Sequence, residues 1–279
     1  MTIRLYFLCV VALLPAALAG GESAEARSLI DRSVAAEAQN RERMVNYLFL
    51  EEVTRKSFDR EKRLIHTQRS AFEVIFIEGK PAFRRVSVNG RRLSEEEEQA
   101  ESARLRQLAE DRRRAPEIAS PAEDRRRAHP YQLFRRYHEF TMASEDVVEG
   151  RPCWVVTSKP RRGRHNEEGP DHERIMNATA KFWIDKETLI RVRMDVTAIK
   201  PSGGAKVNEF TSYQWGQRDG SVWLITAIRT LLPLSGGGRT PAYYEGEQTY
   251  SNYRRFASES SVSAIEEFAG PVPDKSPNH

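Results

Sequence analysis

Hydrophobic residues recur at helical spacing near the start of the chain. Ala26, Ile30 and Val34 lie four residues apart, so that one face of a helix would be apolar. Ser23 precedes them and is suited to cap the N-terminus of a helix. Together these positions predict one amphipathic helix over residues 23–43.

Further along the chain the hydrophobic period changes to two, which is typical of strands. The predicted strands cover residues 47–58, 71–77, 82–88, 140–148, 152–158, 178–184, 189–198, 206–215, 221–232 and 245–256. Short turns containing Gly, Asp or Glu separate most of them, as between antiparallel neighbours. The pattern predicts a mainly β protein of the α+β class, with one large curved antiparallel sheet or a partly closed barrel and few helices.

The alternation is clearest over residues 190–197. The apolar positions of this strand are Ile190, Val192, Met194 and Val196. The positions between them are Arg191, Arg193, Asp195 and Thr197. We therefore expect the first set to face a core and the second set to face solvent.

Several strands carry apolar residues on both faces, which a sheet buried on one side does not need. Phe72, Val74 and Phe76 share one face of their strand, and Ile75 and Ile77 lie on the other. Either helices cover one face and leave a ligand space elsewhere, or helices fill the concavity completely. The residues predicted to line such a ligand space are Phe72, Val74, Phe76, Ile190, Val192, Met194, Val196 and Leu224.

A charged segment over residues 94–129 interrupts the strands and contains the word AEDRRRA twice. Its first part, residues 95–114, has few helix breakers and a narrow apolar stripe, which predicts a solvated helix. Residues 130–138 predict a short aromatic helix. Ten acidic residues stand against eight arginines between Ser94 and Arg127. Because this charge is nearly balanced, we interpret residues 94–129 as a surface insert that serves as a lid or contacts a partner.

The charge of the whole chain bears on whether the protein binds nucleic acid. The sequence has 44 Lys and Arg residues against 40 Asp and Glu residues. The net charge of +4 gives no strong field, and residues 94–127 lack the uncompensated basic excess that a phosphate-binding surface needs. We predict no nucleic-acid partner.

The first residues have the pattern of a secretory signal peptide. Arg4 precedes an apolar run over residues 5–19, which ends in the small-x-small pattern of Ala17-Leu18-Ala19. The run is shorter than the roughly 20 residues of a membrane-spanning helix. The predicted organisation is a signal peptide over residues 1–19, a single exported domain over residues 20–268 and a disordered tail over residues 269–279, with an uncleaved membrane anchor as the alternative to a signal peptide.

No motif in the sequence specifies a reaction. Cys153 is the only cysteine after the predicted signal peptide, and an isolated cysteine in a strand is more often a core residue than a nucleophile. His165 and His172 share a loop with several acidic residues, which offers metal-ligand chemistry, but their spacing matches no ligand motif. We predict a solvated hairpin loop there, no catalytic residue, no metal, no cofactor and no enzymatic activity.

Three short segments resemble the outer-membrane lipoprotein-sorting proteins of the LolA-like superfamily. They are residues 149–156 (EGRPCWVV), 181–191 (KFWIDKETLIR) and 249–253 (TYSNY). The resemblance implies a half-open antiparallel β-barrel whose mouth is closed by helices, with an apolar interior that shelters acyl chains in the periplasm. It also implies an arginine within the barrel that ties down the closing helices, and Arg55 and Arg69 are the candidates.

The function expected from this resemblance is that of a periplasmic binding or carrier protein. Its partners would be lipid or a lipidated protein, an envelope protein, and a membrane surface touched peripherally. An alternative stays open, because the same fold also serves sensors of envelope stress. In that case the chain is an interaction module with no transported ligand, and its apolar interior is only a core.

Overall fold

The computed structural model describes residues 22–44, 47–78, 80–114, 130–163, 170–201, 206–233 and 242–255. The helices in these ranges are α1 (Ala24–Met44), α2 (Glu95–Arg114), α3 (Pro130–Tyr137) and α4 (Pro170–Met176). The strands are β1 (Tyr47–Phe58), β2 (Leu64–Ile77), β3 (Lys80–Val88), β4 (Arg91–Arg92), β5 (His138–Val148), β6 (Arg151–Pro160), β7 (Ala178–Asp185), β8 (Arg191–Ala198), β9 (Phe210–Arg218), β10 (Val222–Pro233) and β11 (Tyr243–Arg255). The predicted signal peptide and tail lie outside the described residues.

All eleven of these strands belong to one antiparallel sheet with the order β4-β3-β2-β1-β11-β10-β9-β8-β7-β6-β5. The first and last strands, β1 and β11, pair in the middle of the sheet. β4 and β5 form its two edges, so the sheet does not close on itself within the described ranges. The prediction of a mainly β fold, built on a large open antiparallel sheet with a few helices, is confirmed.

Tight turns between neighbouring strands explain the meandering order. At Asn89-Gly90, Glu149-Gly150 and Asp219-Gly220 both residues have a positive φ, between 48° and 79°. This is the conformation of a type I′ turn, whose twist matches that of two paired strands. Glycine adopts it without a steric penalty; the sequence predicted the turns at Glu149-Gly150 and Asp219-Gly220 but not the one at Asn89-Gly90.

One row of side chains crosses the sheet and defines its inner face. Residues directly opposite each other on paired strands share a face. The row consists of Met142, Val156, Phe182, Met194, Tyr213, Ile228, Gln248, Val53 and Ser70. We call the face that bears this row the inner face and the opposite one the outer face.

Helices α1 and α3 cover the part of the inner face formed by β5 to β9. The ring centroids of Tyr131 and Phe134 in α3 lie 5.2 and 5.6 Å from that of Phe182 in β7. Ala26 and Ile30 of α1 are fully buried in the same cluster. Each large apolar side chain buried in this way stabilises the fold by about 1.5–3 kcal/mol, so this cluster is the main core.

Helix α2 packs on the outer face of β2 and β3. Ile77, Ala82 and Ala109 form a buried cluster there. Ile77 alternates with Phe76, which lies on the inner face. The predicted role of the charged insert as a lid is therefore wrong for α2, which lies on the face away from the concavity; residues 115–129 of the insert lie outside the described residues.

The same helix also covers the part of the β3 edge that β4, which pairs only with Ser87 and Val88, leaves free. The Glu101 carboxylate accepts a hydrogen bond from the backbone N–H of Arg85 at 2.8 Å. The Arg104 guanidinium donates to the carbonyl oxygen of Phe83 at 2.5 Å. Both backbone groups belong to β3, and exposed strand edges of this kind would otherwise pair with other chains.

Three of the four described helices match the sequence predictions, and α4 does not. It occupies part of the region predicted to be a solvated loop, and its Ile175 packs in the main core. Within the described ranges, no helix has both the length and the apolar character that crossing a membrane requires.

Candidate functional site

A cavity of about 510 Å³ lies on the inner face over β1, β2, β10 and β11. Three successive rows of cross-strand neighbours form it. Its lining consists of Val53, Arg55, Ser57, His66, Gln68, Ile228, Thr230, Leu232, Tyr244, Gly246 and Gln248, together with Glu245. Apart from Glu245, these are every second residue of four adjacent strands, so strand alternation alone directs them into one space.

The cavity continues the core that lies beneath the helices. Tyr213 packs against that core, and its cross-strand neighbour Ile228 lines the cavity. α1 contacts β5, β10 and α3, and α2 lies on the outer face. The inner face therefore has one half that helices fill and another half that is hollow.

The polarity of the lining changes across the hollow half. The strand nearer to the helices, β10, contributes Ile228, Thr230 and Leu232. The strand farthest from them, β2, contributes His66 and Gln68. The cavity thus has an apolar side that adjoins the core and a polar side that is remote from it.

A buried ion pair fixes the helices to the other half of the inner face. Arg191 of β8, which is 1% exposed, donates a hydrogen bond to Oε2 of Glu37 in α1 at 3.2 Å. Its guanidinium carbon lies 4.4 Å from the ring centroid of Tyr131 in α3 and 4.1 Å from that of Trp215 in β9. Burial raises the pKa of Glu37, and the positive charge of Arg191 counteracts this rise. One side chain therefore links both covering helices to the sheet.

The position of Arg191 differs from the sequence prediction, which placed it on a solvent face. The register shifts so that Arg191 lies opposite Ile184, whereas Arg193 lies opposite Trp183. Val192 is the extra residue of this β-bulge, and a bulge of one residue reverses the faces of the positions that follow. The two candidates that the sequence analysis offered for a barrel arginine were Arg55 and Arg69, and both are exposed.

Five of the eight residues predicted to contact a ligand lie in packed clusters. Met194 and Val196 belong to the core beneath α1 and α3. Ile190 and Val192 pack in a second cluster, near the turns at one end of the sheet. Leu224 packs in a third cluster, with the partly buried Met44 of α1 against it. Contact between these residues and a ligand stays a prediction.

The other three predicted residues, Phe72, Val74 and Phe76, lie on the inner face of β2. They occupy the rows beyond those that line the cavity. Sequence reasoning missed the actual lining because it searched for uniformly apolar positions. The alternating positions 53–57, 66–68 and 228–232 are mixed in polarity, and only the cross-strand register brings them together.

Several solved structures are similar to this chain, although no protein-family model matches the sequence and no curated protein does. A DUF1329 family protein from Desulfovibrio piger is 14% identical, with 86% of this chain and 98% of that chain covered and a TM-score of 0.35. A putative outer membrane lipoprotein-sorting protein domain from Vibrio parahaemolyticus is 10% identical, with 85% and 98% covered and a TM-score of 0.38. A LolA superfamily protein from Nitrosomonas europaea is 8% identical, with 85% and 97% covered and a TM-score of 0.31. The family that the sequence segments resemble is thus among the structures similar to this chain, and the function has to be inferred from the geometry.

Two buried titratable groups, Cys153 and His138, are held in their neutral forms. Burial raises the pKa of the Cys153 thiol to about 11, which disfavours the nucleophilic thiolate. Burial lowers the pKa of His138 to about 4. His138 is instead fixed by hydrogen bonds, at 2.9 Å each, to the hydroxyl of Ser158 and the carbonyl oxygen of Ile175. Cys153 and His138 therefore have a structural role in the core.

The predicted metal-free loop is described only in part. His172 lies in α4, where its ring centroid is 4.7 Å from that of Tyr137. His165 falls outside the described ranges. In the part of the chain that the structure describes, no group of three potential metal ligands occurs.

Proposed function

We propose that this chain is a lipid-binding protein of the cell envelope that shelters an acyl chain in the inner-face cavity. The observation that carries this proposal is the continuity between the main core and the cavity, which begins where Ile228 adjoins Tyr213. A volume of about 510 Å³ also falls within the range of roughly 300–1,000 Å³ that is usual for sites binding one small ligand.

Apolar burial provides enough free energy for reversible binding. An acyl chain that loses about 300 Å² of apolar surface to the cavity gains roughly 7 kcal/mol before ordering costs, at about 25 cal/mol per Å². No bond chemistry is needed for this role. A carrier also requires reversible binding, because it has to release its ligand.

Movement of the helices would let the site enlarge. Met194 and Val196 lie on the inner face beneath α1 and α3, so displacement of these helices would join them to the hollow half. Arg191 would hold the helices in place in the closed state through its contacts with Glu37 and Tyr131. Met194 and Val196 would then line the site in its open state.

The first test is the lipid content of the native protein. The full chain, exported and purified without detergent, is extracted with solvent and the extract is analysed by mass spectrometry. We expect co-purified lipid in a defined molar ratio to protein. If the extract contains none and the protein also fails to take up a fluorescent fatty acid, the chain is an interaction module whose interior is only a core.

The second test places a charge in the cavity. Ile228→Glu puts a carboxylate among the apolar lining residues, and we expect at least a tenfold weaker affinity for the fluorescent fatty acid, because tenfold corresponds to only about 1.4 kcal/mol. The matched control is Leu231→Glu, since Leu231 lies on the same strand, is 38% exposed and faces outward. Equal affinities of the two variants would show that the ligand lies elsewhere.

A further inference from the structure

The lipid-binding function proposed above leaves the chemical class of the ligand undefined, and the lining of the cavity narrows it. We infer that the cavity selects a single-chain amphiphile with an anionic head group, and that Arg55 binds this head group. The inference combines the polarity of the lining, the free hydrogen-bond donors at its polar side, and its volume.

The change in polarity across the strands gives the ligand a direction. The tail lies over β10, where Ile228 and Leu232 face the cavity and the main core adjoins it. The head lies over β1 and β2, where Arg55 is directly opposite Gln68. A ligand in this orientation buries its apolar part against apolar residues and leaves its polar part near donors, as burial of polar groups demands.

The donors at the polar side have no partner in the described protein. The side chains of Arg55, His66 and Gln68 make no hydrogen bond or ion pair with any described residue. They lie in two adjacent rows, since His66 is opposite Ser57 and Gln68 is opposite Arg55. A guanidinium with free donors binds carboxylate or phosphate oxygens in a bidentate manner.

The acidic residue of the lining does not cancel this charge. Glu245 alternates with Tyr244 and Gly246, which face the cavity, so its side chain is directed to the outer face. There it lies directly opposite Lys56 of β1. Arg55 is therefore the charged residue that strand alternation directs into the cavity.

The volume restricts the number of chains. About 510 Å³ lies in the lower half of the usual range for sites that enclose one small ligand. The other half of the inner face is filled by the helices, with Tyr131 and Phe134 about 1% exposed. One acyl chain fits the hollow half. A lipid with two or three chains fits only if α1 and α3 move away from the inner face.

The experiment measures binding of defined ligands to the full, delipidated chain by displacement of a fluorescent fatty acid. The ligands are palmitate, 1-palmitoyl-lysophosphatidate, hexadecanol and dipalmitoylphosphatidylglycerol, each below its aggregation concentration. The variant is Arg55→Gln. The matched control is Arg229→Gln, because Arg229 is an exposed arginine on the outer face, paired with Glu247 at 3.1 Å.

We expect the two single-chain anions to bind more tightly than hexadecanol, and Arg55→Gln to weaken them about tenfold, in line with the loss of a charge-assisted hydrogen bond. Hexadecanol affinity should not change in either variant, and Arg229→Gln should not change any affinity. A preference for palmitate or for lysophosphatidate distinguishes a carboxylate from a phosphate head, and either result supports the inference.

Three results would overturn the inference while leaving the lipid-binding function intact. The first is equal affinity for palmitate and hexadecanol. The second is an Arg55→Gln variant that binds palmitate as the unchanged protein does. The third is equal or tighter binding of the two-chain lipid. If none of the four ligands displaces the fluorescent fatty acid, or if no fluorescent fatty acid binds, the proposed function itself fails.

Discussion

Replacement of Arg191 by methionine should destabilise the protein strongly. Methionine keeps part of the apolar stem but removes the charge that faces Glu37 at 3.2 Å. Removing one partner of a buried ion pair typically costs about 3–5 kcal/mol, because the other charge stays buried without compensation. The lost contacts with the rings of Tyr131 and Trp215 add to this cost, at about 0.5–2 kcal/mol each.

The free energy of unfolding, measured by urea denaturation at pH 7.5, gives the size of the effect. Arg229→Met is the matched control, because its ion pair with Glu247 is exposed on both sides and such pairs contribute about 0–1 kcal/mol. The double variant Glu37→Gln/Arg191→Met should be more stable than Arg191→Met alone, since it leaves no uncompensated carboxylate in the core.

The pH dependence of the single variant provides a further check on the mechanism. Burial already raises the pKa of Glu37, and loss of the arginine raises it further. A carboxyl whose pKa is higher in the folded state binds more protons when folded, so the defect of Arg191→Met should shrink as the pH falls from 7.5 towards 5. A loss no larger than that of Arg229→Met, with no dependence on pH, would refute the assignment of a buried ion pair.

Two other predictions concern the core. The pKa of His138 falls from 6.5 to about 4 on folding because of burial. The native protein should therefore be most stable above about pH 6.5 and lose about 3 kcal/mol of unfolding free energy as the pH falls to 4. His138→Gln should reduce this pH dependence in urea denaturation, and an unchanged dependence would contradict the assignment to His138. Asn40 donates to the carbonyl oxygen of Trp223 and accepts from its N–H, both at 2.8 Å. Asn40→Ala leaves two buried backbone groups unpaired, at a cost of about 1–3 kcal/mol each. The control Gln39→Ala changes an exposed residue and should alter the unfolding free energy little. Similar unfolding free energies for the two variants would show that water replaces the side-chain amide of Asn40.

The sequence by itself determined the local elements of this protein. The four-residue spacing of Ala26, Ile30 and Val34 predicted α1, and the buried Ala26 and Ile30 confirm its orientation. Glycines such as Gly150 and Gly220 predicted turns that do have the left-handed conformation. These features depend on interactions between residues close in sequence, so they can be predicted without knowledge of the fold.

Only the tertiary structure decided which residues meet. Nothing near Arg191 in the chain reveals the bulge that turns it inward, because a bulge is defined by the register with β7. The cavity likewise depends on the pairing of β1 with β11, which brings Val53 beside Gln248 although about two hundred residues separate them in the chain. Whether an apolar stripe becomes core or cavity depends on where the helices lie, and that placement is set by packing over the whole sheet rather than by any local pattern.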